Sequence, residues 1–337
     1  MVSLKDISAA CGVSVATVSK VMNNHKDIGE ETRQRVRKVA AEMGYMPNSA
    51  AKALKTNRTY NLGILFVDEA QSGLTHDYYA SLLDSFKRCA ESMGYDLTFI
   101  NSNSSKVNGM SYLEHARYRG FDGVCIACVD FYDPGVTELI RSSIPVVTID
   151  HVFDNRMVIQ SDNVSGMRDL VQYIYRKGHR RIAYIHGMDS AVTQARLSSF
   201  YKTTLELGLT IPEEYILEAP YRDTDGTYQK TIELLQLPER PTCILYPDDF
   251  AALGGMNAIH ALGLSIPYDI SIAGYDGIRL GRHLAPKLTT IRQDTDAIGR
   301  EAAEKLIALI ERPKSTLIEH VMIEGSLFEG ETVASVR

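Results

Sequence analysis

Polar side chains suited to binding hydroxyl groups stand at the ends of apolar stretches in the second half of the chain. Asp248 and Asp249 follow the stretch TCILYP, Asp276 ends DISIAGYD, and Arg196 lies shortly after RIAYIHG. A guanidinium donates several hydrogen bonds and a carboxylate accepts them, so together they fix the direction of ligand hydroxyls. Each residue alone is more often a cap or a surface charge, and Asp249 could simply cap the helix that follows.

A second group of candidate residues lies near the start of the chain, in the segment SVATVSK at 14–20. Its small hydroxyls reach phosphates, its Val and Ala methyls pack on thymine methyls, and Lys20 donates to guanine or to a phosphate. Any one of these residues is more often ordinary helix surface. Their arrangement after a GVS turn indicates a surface for double-stranded DNA.

Three short helices are predicted to position this segment. Ser3 and Asp6 form a capping box before a helix over 4–11, which Gly12 ends. A second helix is predicted over 15–22 and a third over 30–43, each with an apolar stripe. Two short helices joined by a Gly-containing turn and supported by a third form a helix-turn-helix.

Charge separates this head from the rest of the chain. Residues 1–60 carry ten Lys/Arg and five Asp/Glu, a net charge of +5. Residues 61–337 carry 26 basic and 37 acidic residues, a net charge of −11. A basic module joined to an acidic body places polyanion binding at the N-terminus. A solvated charge imbalance is the simpler explanation for the charge taken alone.

A connecting segment follows the head, with Pro47 at a possible helix start and Leu54 between two lysines. A helix this short is marginal on a monomer. A helix in this segment is explained if two copies of the chain pair over DNA and the Leu54 side chain inserts between neighbouring base pairs from the minor groove. A simple linker is the alternative.

The acidic body alternates short apolar runs with amphipathic stretches. Helical stretches are predicted at 77–92, 163–177, 195–207, 249–262 and 294–311. Continuous Val/Ile-rich strands separated by helices indicate parallel sheets that are covered on both faces. Two doubly wound lobes fit this length better than one, with a ligand cleft at the carboxyl ends of the strands. The predicted strands are 61–67, 96–100, 122–129, 145–150, 181–187, 242–247 and 269–276.

Several other classes of protein are disfavoured. The 337 residues contain no apolar run long enough for a membrane helix and no secretory signal, and the five cysteines are scattered, so a cytoplasmic location is expected. Cys125 and Cys128 have CxxC spacing but lie in an apolar strand, where buried thiols are favoured over a metal or redox site. Gly254 and Gly255 lie in a helical pattern without a phosphate-loop context. The chain is therefore not expected to be an enzyme, and no cofactor or metal is expected.

The segment from Leu4 to Leu54 resembles the DNA-binding head and hinge helix of the lactose/galactose repressor (LacI/GalR) family, over about fifty residues. The resemblance implies that the second helix enters the major groove and that the hinge leucine opens the minor groove. The family usually has Arg at Lys20, and Lys copies the bidentate guanine contact of Arg poorly. The DNA contacts implied by the resemblance are Ser14, Val15, Ala16, Thr17, Ser19, Lys20, Asn23, Tyr45, Asn48, Ala51, Lys52 and Leu54.

The body resembles the same family, and through it the periplasmic sugar-binding protein fold, in phrases such as FDGV (121–124), GHRRIAYIHG (178–187) and LTTIRQD (288–294). The resemblance implies a small all-α head with a hinge helix, joined to a two-lobe α/β body of doubly wound parallel sheets. The implied domains are a head at 1–46, a hinge and linker at 47–60, a first lobe at 61–161 plus 290–322, and a second lobe at 162–289 plus 323–337.

Residues that contact the effector in the family are implied here as well. Arg196, Asp248 and Asp276 match polar contacts, and Tyr221 matches an aromatic position that stacks on the ligand. The family more often has Asn at Asp248, and a carboxylate there favours a ligand rich in hydroxyl donors over an anionic one. The first lobe is expected to add Asp68, His76, Asp130 and Phe153.

The function expected is a transcription repressor of carbohydrate-utilisation genes whose affinity for operator DNA is changed by a small ligand, with a neutral sugar as inducer. A purine- or phosphosugar-responsive co-repressed regulator is the alternative within the family. A sugar-transport protein shares the two-lobe body but should carry a secretory signal and no helix-turn-helix. The expected partners are operator DNA, the effector and a second copy of the chain. The C-terminus has no long apolar heptad repeat, which favours a dimer over a tetramer.

Overall fold

The computed structural model describes residues 2–25, 27–46, 58–68, 72–100 and 109–336. The chain divides into two compact units, 1–59 and 60–337.

The N-terminal unit contains the three predicted helices, α1 (Leu4–Cys11), α2 (Val15–Met22) and α3 (Glu30–Glu42). The predicted capping box is present at the start of α1, and Gly12 ends that helix at φ +66°. The apolar stripes of the three helices meet in a small core of Ile7, Cys11, Val18, Val21, Val36 and Ala40. Of the predicted hinge contacts, Asn48, Ala51, Lys52 and Leu54 lie outside the described residues.

The first sheet of the larger unit has parallel strands in the order β11-β5-β4-β3-β1-β2 in its described part. Its central strands are fully buried and apolar, as is typical of a sheet covered by helices on both faces. The strands are β1 (Asn61–Phe66), β2 (Asp96–Phe99), β3 (Gly123–Ala127), β4 (Val146–Ile149), β5 (Met157–Ser161) and β11 (His320–Ile323).

The second sheet has the described order β12-β10-β9-β8-β6-β7, and β12 is antiparallel to β10 while the other neighbours are parallel. All seven predicted strand positions contain a strand of one of the two sheets. The strands of the second sheet are β6 (Ile182–His186), β7 (Ile216–Glu218), β8 (Cys243–Leu245), β9 (Ser271–Asp276), β10 (Thr289–Arg292) and β12 (Ser326–Phe328).

Helices cover both sheets. Helix α11 crosses the back of the first sheet against α4, and the approach is close because Gly299 has no side chain: a Cβ there would lie 2.2 Å from the Leu82 carbonyl oxygen. The helices of the body are α4 (Asp77–Ser92), α5 (Tyr112–Arg119), α6 (Pro134–Arg141), α7 (Asn163–Arg176), α8 (Ala191–Glu206), α9 (Thr224–Leu235), α10 (Ala251–Ala261) and α11 (Thr295–Glu311). Within the described ranges, no helix is both long and apolar enough to cross a bilayer.

The chain crosses between the lobes three times, close to the implied boundaries. The first crossing follows Ser161, the end of β5. The second follows Arg292 instead of residue 289, because Thr289–Arg292 pairs with β9 and β12 and so belongs to the second sheet. The third follows Ile323, which ends β11 in the first sheet. The lobe boundaries implied at 290 and 323 therefore move by three residues and by one residue.

Candidate functional site

The N-terminal half of α2 exposes small side chains, some with hydroxyl groups and some apolar. Ser14 caps the helix, with its hydroxyl accepting from the Thr17 backbone N–H at 3.0 Å. The side chains of Val15 and Ala16 are exposed, while Val18 points into the core of the head. This alternation leaves a continuous exposed face on α2, as a helix that enters a DNA groove requires.

The remaining predicted contacts of the head already have partners within it. Lys20 donates to the Asp27 carboxylate at 2.5 Å, and both side chains are about half exposed. Asn23 donates to the Ser19 carbonyl at 2.7 Å. Tyr45 is half-buried and packs against the core of the head. The pairing of Lys20 with Asp27 was not expected from the sequence.

A cavity of about 730 Å³ lies between the lobes of the body, at the carboxyl ends of the parallel strands. Its lining includes carboxyl groups, guanidinium groups and aromatic rings. Five of the eight predicted effector residues contribute to it, namely Asp68, His76, Arg196, Tyr221 and Asp276.

Arg196 lies on α8 with only 3% of its surface exposed, and neighbouring groups fix its guanidinium on several sides. It donates to the Asn163 side-chain oxygen at 2.7 Å and to the Pro247 carbonyl at 2.9 Å. The guanidinium also lies 3.6 Å over the Tyr275 ring. An arginine held this way offers its remaining N–H groups in a fixed direction.

Asp276 ends β9 in an unusual backbone conformation, with φ at +104°. Its carboxylate accepts from the Gln293 side-chain amide at 2.6 Å and lies 3.7 Å from the Arg196 guanidinium. Burial raises the pKa of Asp276 to about 7, although the charge of Arg196 opposes this shift. Near neutral pH this carboxyl group is therefore able both to accept and to donate a hydrogen bond.

Asp150 was missed by sequence reasoning and faces the same cavity from the first lobe. It follows β4 at φ +62°, and its carboxylate accepts from the Tyr78 hydroxyl at 3.2 Å and from the Ser161 backbone N–H at 3.3 Å. Burial raises its pKa. The available signal was the same as for Asp276: an acidic residue directly after a buried strand.

Asp248 lies outside the cavity lining. Its two carboxylate oxygens accept from the backbone N–H groups of Ala251, at 2.7 Å, and of Arg222, at 2.8 Å. Both oxygens are thus used to start α10 and to hold the 220–223 loop. The sequence offered Asp249 as a cap for α10, but Asp248 makes that contact, while Asp249 accepts from the Ile278 N–H.

Two more of the expected first-lobe residues do not line the cavity. Asp130 is exposed and accepts from the Tyr132 N–H at 2.8 Å, so it closes a local turn. Phe153 packs against Phe131 and His151, whose rings stack at 4.5 Å and do line the cavity. Phe131 and His151 therefore form an aromatic wall of the cavity, and Phe153 packs against this wall without lining the cavity.

His76 and Asp68 lie together on the first-lobe side. Burial, with a contribution from the charge of Arg222, lowers the pKa of His76 to about 4, so its imidazole is neutral near pH 7. Among the described residues no side chain or backbone group bonds its buried Nδ1. Asp68 accepts from the Gly73 N–H at 2.9 Å and so shapes the loop before α4.

Tyr221 lies against the glycine that ends the β6 region. A Cβ on Gly187 would fall 2.1 Å from the Tyr221 ring, so the ring rests directly on the Gly187 backbone. The Tyr221 hydroxyl shares a hydrogen bond with Thr193 at 2.8 Å. Both contacts fix the plane of the ring at the cavity wall.

Arg222 was also missed. It follows Tyr221 at φ +61°, and its side chain lines the cavity. It reaches from the second lobe to the first, where it donates to the Ser72 hydroxyl at 3.0 Å and to Asp77 at 3.3 Å. No pattern in the sequence indicated a role for Arg222, because its contacts with Ser72 and Asp77 depend on a left-handed backbone conformation and on the position of the facing lobe.

A three-helix head that presents a polar recognition helix, together with a two-lobed body around a polar cleft, defines a DNA-binding regulator with a ligand-binding domain. Comparison with known proteins agrees with this class. Residues 3–48 match the model of the bacterial regulatory proteins of the lacI family. Residues 171–333 match the periplasmic binding protein-like domain.

Relatives match along almost the whole chain. The HTH-type transcriptional repressor PurR of Pectobacterium carotovorum is 30% identical over an alignment 343 positions long, which covers 99% of this chain and 97% of that protein. The ribose operon repressor of Escherichia coli K12 is 30% identical, covering 93% of this chain and 94% of that protein. The crystal structure of the lac repressor dimer bound to operator and the anti-inducer ONPF is 25% identical, with a TM-score of 0.82 and 99% of each chain covered.

The chain belongs to the LacI family, and it is a transcriptional repressor with a ligand-binding domain. The resemblance seen in the sequence and the predicted fold class are confirmed. The relatives are repressors, in agreement with the prediction that the chain is not an enzyme.

Proposed function

We propose that this protein represses carbohydrate-utilisation genes in the cytoplasm as a homodimer on operator DNA, and that a neutral sugar in the interlobe cleft releases it. The observation that carries the choice of ligand is the charge of the cleft. Carboxyl groups face it from both lobes, at Asp150 and Asp276, and both of its described guanidiniums already have an acidic neighbour, Asp276 for Arg196 and Asp77 for Arg222.

A ligand rich in hydroxyl groups suits this lining. Its hydroxyls can donate to Asp150 and Asp276 and accept from Arg196, and its apolar ring faces can lie against Tyr221 or the Phe131–His151 wall. The neutral His76 adds a nitrogen that can bond a hydroxyl in either role. The relative named as a ribose operon repressor acts on a sugar operon, which supports the same ligand class.

An anionic ligand fits less well. A phosphate would enter beside Asp150 and Asp276, and it would be repelled by whichever of these two carboxyl groups is ionised. It would also have to take Arg222 from Asp77 or compete with Asp276 for Arg196. A phosphosugar therefore has to break existing pairs before it gains its own.

A purine co-repressor is the second candidate, and the aromatic wall favours it. Phe131 and His151 stack face to face with an interplanar angle of 15°, and a planar base can extend such a stack. A co-repressor would stabilise the DNA-binding state, whereas an inducer stabilises the other state. The two candidates therefore differ in the chemical class of the ligand and in whether the ligand strengthens or weakens operator binding.

On the DNA side, we propose that α2 lies in the major groove and that Ser14, Val15, Ala16 and Lys20 contact bases or phosphates. A dimer places two such helices on the half-sites of an operator. The net charge of +5 on residues 1–60 supplies the sequence-independent part of the affinity.

The ligand proposal is tested by thermal unfolding of the full-length protein against neutral mono- and disaccharides, nucleobases and phosphosugars. A ligand at one hundred times its Kd adds about 2.7 kcal/mol to the free energy of unfolding. We expect a neutral sugar to raise the Tm of the wild type but not of Asp276→Asn. Stabilisation by a purine or a phosphosugar alone would overturn the proposed ligand class and leave the repressor assignment standing.

A further inference from the structure

The loop at 220–223 in the second lobe is held rigidly at the mouth of the cleft. Its Arg222 adopts a left-handed backbone conformation, with φ at +61°, and its N–H donates to the buried Asp248 carboxylate at 2.8 Å. The guanidinium lies 4.2 Å over the ring of Phe250, which belongs to the same lobe. Backbone and stacking together aim this side chain in one direction.

That direction leads across the cleft. The Arg222 guanidinium donates through Nε to the Ser72 hydroxyl at 3.0 Å and through Nη1 to Asp77 at 3.3 Å. Asp77 is the first residue of α4, in the opposite lobe. The Arg222 side chain is only 9% exposed, whereas the Asp77 side chain is 42% exposed, so the pair lies at the boundary between cleft and solvent.

A pair in this position differs from an ordinary surface ion pair. Most exposed pairs contribute little, because water and salt screen them and both long side chains lose freedom. Here the guanidinium is largely buried and already oriented, so less is lost when the bond forms. Any movement that separates the lobes must break both bonds, because Ser72 and Asp77 belong to one lobe and Arg222 to the other.

We propose that Arg222 is a positioning residue that fastens the two lobes together at the cleft mouth, and that it thereby controls access to the cleft. It holds the lobes through protein groups alone, so it acts before an effector enters and also slows the departure of one. The part of this inference that concerns an effector rests on the proposed function. The fastening itself does not, and it can be tested without any ligand.

The chain carries its own reporter of access. Cys128 lines the same cavity as Arg222 and is half-buried. Cys89 is also half-buried but lies on α4, outside the cavity lining, and it serves as an internal reference. The ratio of their rates of alkylation by N-ethylmaleimide, read by peptide mass spectrometry on the full-length protein, reports access to the cleft independently of reagent concentration.

Two variants break the fastening in different ways. Arg222→Gln removes the cation and shortens the side chain, while Asp77→Asn weakens the ion pair and leaves the bulk of Arg222 in place. We expect Asp77→Asn to raise the Cys128-to-Cys89 ratio about fivefold, the factor that corresponds to the loss of one net hydrogen bond, and Arg222→Gln, which loses both bonds, to raise it at least as much. Arg168→Gln is the matched control, since Arg168 pairs with its neighbour Asp169 within the second lobe. It should leave the ratio unchanged.

The outcomes separate the explanations. If the Cys128-to-Cys89 ratio rises in both variants while the circular dichroism and the Cys89 alkylation rate are unchanged, the proposal that Arg222 fastens the lobes is supported. A rise in Arg222→Gln alone means that the side chain only blocks the mouth sterically, and this overturns the proposal. An unchanged ratio in both variants also overturns it. None of these results depends on the identity of the effector, so a wrong ligand class would leave the test intact.

Discussion

The Arg196 guanidinium lies 3.7 Å from the Asp276 carboxylate, and the two side chains are 4% and 11% exposed. They arrive from different elements, Arg196 from the first turns of α8 and Asp276 from the end of β9. Helix starts and parallel strand ends converge on one edge of a doubly wound sheet, which brings two residues 80 positions apart into one site.

The first prediction concerns Arg196. Replacing it with Met should lower the free energy of unfolding by about 3–5 kcal/mol, because Asp276 and the Asn163 oxygen would then be buried without their cationic partner. Urea denaturation of the full-length protein measures this change. Exposed Arg168→Met should change the same quantity by less than about 0.5 kcal/mol. Equal effects of the two substitutions would contradict the structural role given to Arg196.

The second prediction concerns pH. The pKa of Asp276 is about 7 in the folded state and its ordinary value is 3.8, so between these two values the folded protein holds a proton that the unfolded chain releases. Its contribution to stability is therefore present at low pH and is lost as pH rises through this window. Between pH 5 and pH 7 the wild type should lose on the order of 2 kcal/mol relative to Asp276→Asn.

Asn is a suitable replacement there, since it tolerates positive φ better than most residues. Stability curves of the two proteins, taken by urea unfolding at half-unit pH steps, provide the comparison. The exposed Asp225→Asn serves as the control and should run parallel to the wild type. If Asp276→Asn also runs parallel to the wild type, Asp276 does not titrate in this range.

The third prediction concerns Asp27. Its carboxylate holds Lys20, so Asp27→Asn should release the lysine and remove a negative charge beside the recognition helix. Affinity for a random-sequence duplex should rise about two- to fivefold at fixed salt, in line with the small coupling of exposed pairs. Fluorescence anisotropy measures this affinity, and Glu42→Gln on α3 makes the same charge change elsewhere in the head.

The Lys20→Gln background separates two causes of that increase. If Asp27 acts by occupying Lys20, the gain from Asp27→Asn should disappear in this background. A gain of the same size there would mean that Asp27 acts only through general repulsion of phosphates. Loss of affinity in Lys20→Gln itself tests whether Lys20 contacts DNA.

The fourth prediction concerns Gly187. An added methyl group would fall 2.1 Å from the Tyr221 ring and push it into the cleft. Gly187→Ala should therefore weaken binding of a stabilising ligand about tenfold or more, as measured by calorimetric titration. Gly281→Ala, whose nearest new contact would be 3.5 Å away, should bind as the wild type does. Unchanged ligand affinity in Gly187→Ala would argue against Tyr221 as a ligand contact.

The sequence predicted the elements whose patterns are strong. Helix α4 begins and ends where its amphipathic pattern does, at Asp77 and Ser92. Among the strands that were not predicted, β7 (Ile216–Glu218) is short and β10 (Thr289–Arg292) is weak in apolar content. The sequence of β10 looks polar because it begins with two threonines. Both are nevertheless buried in the sheet, where backbone pairing and the neighbouring strands decide the structure.

The site was predictable as far as one rule allows, namely that polar residues at the carboxyl ends of parallel strands line the cleft. That rule places Asp276 at the cleft and would have found Asp150, but it cannot tell a ligand-facing carboxylate from a helix cap. Asp248 follows its strand in the same way, yet its oxygens accept two backbone N–H groups. The distinction depends on the path of the following loop, which long-range packing fixes. Arg222 is the extreme case, since its partners lie on another lobe about 145 residues away in the chain.

The most direct test of the proposed function is the affinity of the full-length protein for operator DNA with and without the stabilising ligand. Operator duplexes would be selected from a random library, and affinity read by anisotropy at constant salt. A neutral sugar should weaken operator binding by the wild type about tenfold, within the usual range of allosteric coupling, and should leave binding by Asp276→Asn unchanged. Operator affinity that is unaffected by neutral sugars but tightened by a purine or a phosphosugar would contradict both the ligand class and the direction of the response.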